Sequence, residues 1–201
     1  REQITEFVTD QYEAAGADVA VIALSGGIDS TLTAVLAVEA LGSGSVYGLV
    51  LPSSVTSAEN TSDGERVASE LLDIEYDVVG IDPLVDAVLD ANPNVSPEQG
   101  EETLQTAVGN LRARLRAVLS YFEANRRGGI VLGTGNRSEA AVGYFTKYGD
   151  GAVDCHPIAN LYKGQVRQLA RHVGVPEDLA SKTASAAAVE RIRARRGRTE
   201  G

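Results

Sequence analysis

The chain has 201 residues, 43% of them apolar, and carries 28 carboxylates against 18 basic side chains for a formal net charge of −10. Its length and apolar share predict a single globular domain over 1–201 with a sizeable core, its negative charge argues against nonspecific nucleic-acid binding, and no apolar stretch approaches the roughly 18 residues of a membrane span. One cysteine, Cys155, excludes an internal disulfide framework and a four-cysteine zinc site, and residues 1–17 are polar and amphipathic rather than a signal peptide, so a cytoplasmic location is expected.

Residues 3–16 read as a leading helix closed by Gly16. The apolar run 18–24 predicts a first strand, and 29–41 the helix after it, ended by Gly42. A second strand at 45–51 stops at Pro52. The Ser-, Thr- and Asn-rich stretch 53–62 reads as a loop, followed by a helix at 62–73 and a third strand at 75–81. A short helix at 83–90 and a Pro- and Asn-bearing loop at 91–99 lead into a long helix at 100–126. There Leu104, Val108, Leu111, Leu115, Val118 and Leu119 keep helical spacing. A fourth strand at 130–134, a short helix at 136–143 and a helix at 163–173 capped by Gly174 complete the pattern. Strands alternating with helices predict an α/β fold: a Rossmann-like, doubly wound parallel sheet of about five strands, flanked by helices and joined by right-handed crossovers. Ligands then bind at the carboxyl ends of the strands, so segments 25–30 and 134–139 are expected to face one crevice.

The first of those segments carries the chemistry. Leu24-Ser25-Gly26-Gly27-Ile28-Asp29-Ser30 lies where the first strand ends and its helix begins. A strand–glycine–helix turn aims backbone N–H groups at an anion. Gly26 and Gly27 permit close backbone approach, and Ser25 and Ser30 add hydroxyls. Asp29 places a carboxylate beside the phosphates, which calls for a cation such as Mg²⁺. No Lys lies in the turn, so this is not a Walker A loop. The Ser-Gly-Gly-x-Asp-Ser pattern resembles the pyrophosphate loop of the ATP pyrophosphatases, or PP-loop enzymes. That resemblance implies cleavage of ATP between its α- and β-phosphates and adenylation of a substrate.

The second half narrows the class. Residues 133–154 read Gly-Thr-Gly-Asn-Arg-Ser-Glu-Ala-Ala-Val-Gly-Tyr-Phe-Thr-Lys-Tyr-Gly-Asp-Gly-Ala-Val-Asp, with Pro157-Ile158 and Leu161-Tyr162-Lys163-Gly164-Gln165-Val166 beyond. With the loop, these resemble the ammonia-dependent NAD⁺ synthetases over most of 3–185. The resemblance implies a ligase that amidates deamido-NAD⁺ to NAD⁺ with ATP and ammonia through an adenylated nicotinate. It implies Asp29 and Glu139 as Mg²⁺ ligands, Asp29 and Lys163 as catalytic, and Ser25, Gly26, Gly27, Asp29, Ser30, Thr134, Lys163 and Ser185 as the ATP site. Arg114, Lys147 and Asp154 match the deamido-NAD⁺ positions. The family is typically a homodimer with the dinucleotide at the subunit interface, and the long helix is a plausible dimer element. Lys163 opens a helix, where a cation opposes the macrodipole unless an anion compensates it. Tyr144 and Phe145 are candidates for ring stacking or for core, and Thr56 is a weak adenine candidate. Cys155 is expected to be a small buried residue and not a nucleophile.

Departures matter as well. After Ser185-Ala186 the family continues with an acidic Gly-Gln-Thr-Asp-Glu segment, whereas this chain runs into Ala187-Ala188-Val189-Glu190-Arg191. A lid segment missing near 186–189 is the expectation. No glutaminase module is evident, so free or delivered ammonia is the expected nitrogen source. Basic residues divide into 15 Arg and 3 Lys (Lys147, Lys163 and Lys182), and with the acidic excess and the absence of Met and Trp this suggests a halophile's surface or a GC-rich genome. Two alternatives stand beside the main reading: another PP-loop adenylating amidotransferase or tRNA-modifying enzyme, and a catalytically silent nucleotide-binding protein.

Overall fold

The computed structural model describes residues 1–92 and 101–182. Four parallel strands, β1 (Ala20–Ala23), β2 (Val46–Val50), β3 (Glu75–Val78) and β4 (Ile130–Leu132), lie in the order β3-β2-β1-β4. The order reverses between β1 and β4, which pair with Ala20 opposite Ile130 and Ile22 opposite Leu132. A crevice is expected at such a switch point. The sheet is narrower than the expected five strands: among the described residues, the chain beyond β4 contributes a single parallel bridge, Leu132 to Cys155. The reason is local. Cys155 is followed at once by a turn through Pro157, and a proline has no N–H with which to continue a ladder.

Side-chain alternation along the strands feeds two layers. Ala20 and Ile22 point to α1 (Glu2–Ala14), α2 (Ile28–Leu41), α7 (Lys163–His172) and α8 (Glu177–Ala180), packing with Val8, Leu32, Leu36, Val166 and Leu179. Val21, Tyr47, Leu49 and Val131 point to the opposite face, toward Ile81 and Ala124. That face is covered by α4 (Asp82–Asp90) and α5 (Glu101–Arg127). Helix α2 is buried along most of its length, as befits a helix packed between sheet and outer helices. Its Thr31 and Thr33 hydroxyls are satisfied by donating to the Gly27 and Asp29 carbonyls at 3.0 and 2.9 Å.

Two expected elements shift. Helix α3 (Ala58–Arg66) begins four residues early, because the Ser57 hydroxyl caps it by accepting from the Asn60 amide at 3.2 Å, and it ends in a π-helical turn over Val67–Leu71. The third strand is shorter than 75–81, although the Val79 and Ile81 amides still bond the Val50 and Pro52 carbonyls at 2.9 Å each. Helix α6 (Arg137–Ala141) follows β4 directly. Among the described residues no helix is long and apolar enough to cross a membrane.

Candidate active site

The turn from β1 into α2 is closed by its own hydroxyls. Ser30 Oγ donates to the Gly27 carbonyl at 2.9 Å, accepts from the Ser25 amide at 3.3 Å, and lies 3.1 Å from Ser25 Oγ. Gly26 sits at φ +69°, and a Cβ there would run into the Asn60 carbonyl and press within 3.0 Å of Asp63 Cβ. Only glycine meets both demands. The loop is thus clamped between α2 and α3 with the α2 N-terminus at its mouth, the partial positive charge of which suits phosphate.

Beside that mouth, Asp29 from α2 meets Asn136 and Lys163. Asn136 Nδ2 donates to Asp29 Oδ1 at 3.0 Å, and the Lys163 ammonium pairs with Asp29 Oδ2. Asn136 caps α6 reciprocally with Glu139: its Oδ1 accepts from the Glu139 amide at 3.0 Å, and its own amide donates to Glu139 Oε2 at 3.1 Å. Burial, and then the neighbouring Asp29 charge, push the Glu139 carboxyl above the ordinary carboxylate range. Lys163 holds its place at the start of α7 through its amide, which donates to Ser138 Oγ at 3.0 Å. Asp29 is therefore the anion that compensates a lysine at a helix N-terminus.

These residues fit a hard divalent cation. Two carboxylates stand together in a half-buried crevice, and their mutual repulsion is relieved by positive charge. No group of three His, Cys, Asp or Glu side chains converges as a metal cage among the described residues. A cation here would complete its shell with phosphate and water oxygens, the habit of Mg²⁺.

A cleft of about 860 Å³ opens next to the loop, walled by Ser25, Thr134, Asn110, Arg116, Phe145 and Thr146 among others. Thr56 also lines the cleft, with its Oγ1 accepting from the Ser53 amide at 3.0 Å. On the far wall the 144–152 turn binds to α5. Thr146 Oγ1 donates to Asn110 Oδ1 at 3.0 Å, and Arg114 Nε donates to the Lys147 carbonyl at 3.2 Å. Arg114 and Lys147 are thereby brought together, both exposed. Asp154 is held by the Val131 amide at 2.7 Å and by the Tyr121 hydroxyl at 3.2 Å. Phe145 is half exposed at the cleft. Ser185 and the 186–189 segment lie outside the described residues.

Cys155 is buried, and burial together with Asp154 pushes its thiol up to about 11, so it is a thiol at neutral pH and not a nucleophile. Three contributors escaped sequence reasoning. Asn136 looks like an ordinary helix cap, and only the fold shows its second partner. Arg116 reads as one of a row of helix arginines, yet its guanidinium donates to the Leu51 carbonyl at 2.9 Å and to Ser53 Oγ at 3.3 Å, where β2 leaves the sheet. Lys182 pairs with Asp63 on the α3 side of the pyrophosphate-type loop. Its rarity in an arginine-rich chain was the one available signal.

A four-stranded parallel sheet with a serine–glycine loop at its switch point and an acidic pair beside it is an α/β architecture whose crevice suits an anion. Residues 1–194 match the family model described as NAD synthase, and the chain belongs to that family. It is 56% identical over 186 residues to an NH₃-dependent NAD⁺ synthetase of Halobacterium salinarum, covering 92% of this chain and 67% of that protein. It is 45% identical to the enzyme of the same name from Aeropyrum pernix, covering 92% of this chain and 64% of that one. Among solved structures it resembles an NH₃-dependent NAD synthetase from Campylobacter jejuni (TM-score 0.81, 30% identity, 99% of this chain and 82% of that one). It also resembles an NMN synthetase from Francisella tularensis (TM-score 0.82, 31% identity, 98% and 92%).

Proposed function

We infer that this chain is an ATP-dependent ligase that amidates deamido-NAD⁺ to NAD⁺ with ammonia. The observation that carries the reading is the meeting of Asp29, Asn136, Glu139 and Lys163 beside the Ser25–Gly27 turn, in a chain of the NAD synthase family. The nicotinate carboxylate oxygen attacks the α-phosphorus of ATP, and the bond to the bridging oxygen breaks with its electrons leaving on pyrophosphate. Ammonia then attacks the acyl carbon of the mixed anhydride. AMP departs with the C–O electrons, and a proton is lost from nitrogen to give the amide. Overall, deamido-NAD⁺, ATP and ammonia become NAD⁺, AMP and pyrophosphate.

The chain's residues supply binding and charge. The loop amides and the Ser25 and Ser30 hydroxyls cradle the leaving phosphates, Thr134 flanks the nucleotide, and Lys163 moves from Asp29 to a phosphate oxygen. Asp29 and Glu139 would hold Mg²⁺, which would supply Lewis-acid relief of the charge developing on pyrophosphate. Arg114 and Lys147 face the dinucleotide's pyrophosphate, and Asp154 faces its ribose or ring. Ser185 adds a phosphate contact. Ammonia is free or delivered by another protein, the chain acts as one catalytic domain in the cytoplasm, and its acidic, lysine-poor surface suits high salt. A homodimer forms through α5, where Val118 and Phe122, one turn apart, are 61% and 60% exposed. Burying such side chains is the usual reason for association.

The test is a product assay with ATP, Mg²⁺, ammonium and either deamido-NAD⁺ or nicotinate mononucleotide, at low and high KCl. One AMP and one pyrophosphate per NAD⁺ is the expected result. Preference for the mononucleotide would move the substrate assignment. Pyrophosphate release without either amide would return the search to another PP-loop acceptor, and absence of turnover would favour a silent binder.

A further inference from the structure

We propose that Asn136 is a positioning residue that sets the gap between Asp29 and Glu139, and so controls how tightly the site holds its divalent cation. The inference rests on the metal reading given above. Asn136 is buried to 1% exposure, at the junction of β4 and α6. It donates to both carboxylates, one through each of its nitrogens. The side-chain amide reaches Asp29 Oδ1 at 3.0 Å, and the backbone amide reaches Glu139 Oε2 at 3.1 Å. Its remaining polar side-chain atom, Oδ1, accepts from the Glu139 amide at 3.0 Å. Asp29 and Glu139 lie on different helices, and Asn136 is 107 residues from Asp29 in sequence. The two carboxylates are thus spanned by the covalent frame of one residue.

The residue type follows from this duty. The position needs an acceptor for the helix cap and a donor for Asp29, on a side chain short enough to do both. An amide has both groups, whereas a carboxylate has no donor and a hydroxyl has too little reach. The two N–H donors hold each carboxylate by one oxygen; Glu139 Oε1 is left to a cation, and Asp29 Oδ2, which pairs with the Lys163 ammonium, is released to one when Lys163 turns to a phosphate oxygen. Residues that orient metal ligands in this way typically matter by about 10- to 100-fold in affinity.

Serine separates the two duties. Asn136→Ser keeps a competent helix cap and keeps the backbone donor to Glu139, but it cannot reach Asp29. The experiment compares the full-length wild-type chain with Asn136→Ser and Asp29→Asn. Binding of Mn²⁺, as a paramagnetic substitute for Mg²⁺, is followed by electron paramagnetic resonance in the presence of α,β-methylene-ATP. Melting temperature is recorded without metal. Asn136→Ser is expected to melt within a few degrees of wild type while binding Mn²⁺ at least about tenfold more weakly, with Asp29→Asn weaker still. Wild-type Mn²⁺ affinity in Asn136→Ser, alongside loss in Asp29→Asn, overturns the positioning role alone. Unchanged affinity in Asp29→Asn as well overturns the metal reading and this inference with it. Should the serine variant not fold, Asn136→Thr, which also caps, is judged by the same outcomes.

Discussion

At position 26 a methyl group would meet the Asn60 carbonyl, on a backbone already held in the left-handed region that side chains resist. Gly26→Ala is therefore expected to cost more than about 1 kcal/mol of stability and to weaken ATP binding together with it, as read from thermal melts and nucleotide titration. Asp29 carries a different burden. Its carboxylate has Lys163 and Asn136 as partners, and Asp29→Asn leaves an amide of the same size. Pyrophosphate release should fall by at least about a hundredfold while the circular dichroism spectrum is unchanged; wild-type turnover would remove Asp29 from the mechanism. His156 offers a pH test. Burial against Gly133 and Gly135 lowers its pKa below the ordinary value of 6.5. A depressed imidazole contributes stability above the unfolded value and loses it as pH falls through the folded one. The wild-type melting temperature is thus expected to drop more steeply below pH 6.5 than that of His156→Gln, and parallel curves would refute this.

Among the elements, α5 is the one with two audiences. Ala124 packs under the sheet, Arg116 anchors the exit of β2, and Val118 and Phe122 stand exposed on another face. Replacing Phe122 with Asp should leave the melting temperature near wild type and shift the mass from dimer to monomer in light scattering; a wild-type mass would send the search for an interface elsewhere. The contrast is α2, where Leu36 is fully buried and Leu36→Ala is expected to cost about 2–5 kcal/mol in denaturant unfolding. Element types were largely legible, because apolar runs and glycine stops mark the strands and helices directly. Asp29, Glu139 and Lys163 were expected together through the family resemblance, and strand order accounts for two of them, since α2 and α6 follow the adjacent strands β1 and β4. What sequence could not express was tertiary. A Ser57 cap started α3 inside a polar stretch that reads as loop, the 155–157 turn reduced a fifth strand to one bridge, and the second partner of Asn136 lies on a distant helix.

On the scale of the whole molecule, the strand order has a kinetic consequence. Strands β1, β2 and β3 are consecutive neighbours, but β4 reaches β1 only after α4 and α5 have been made. Asp29 then finds Asn136 across 107 residues and Lys163 across 134. Such long-range closures come slowly, because chain entropy is lost before the contact is gained. A refolding chain should recover helical circular dichroism before it recovers nucleotide binding, with a delay set by docking of β4 rather than by growth of the helices. The Ser25–Ser30 loop and Asp29 belong to the early half of the chain, and Asn136, Glu139 and Lys163 to the late half, so a nascent chain stalled before β4 would carry the loop with nothing to close it. Competence to bind nucleotide is, in this topology, a report that the last strand has arrived.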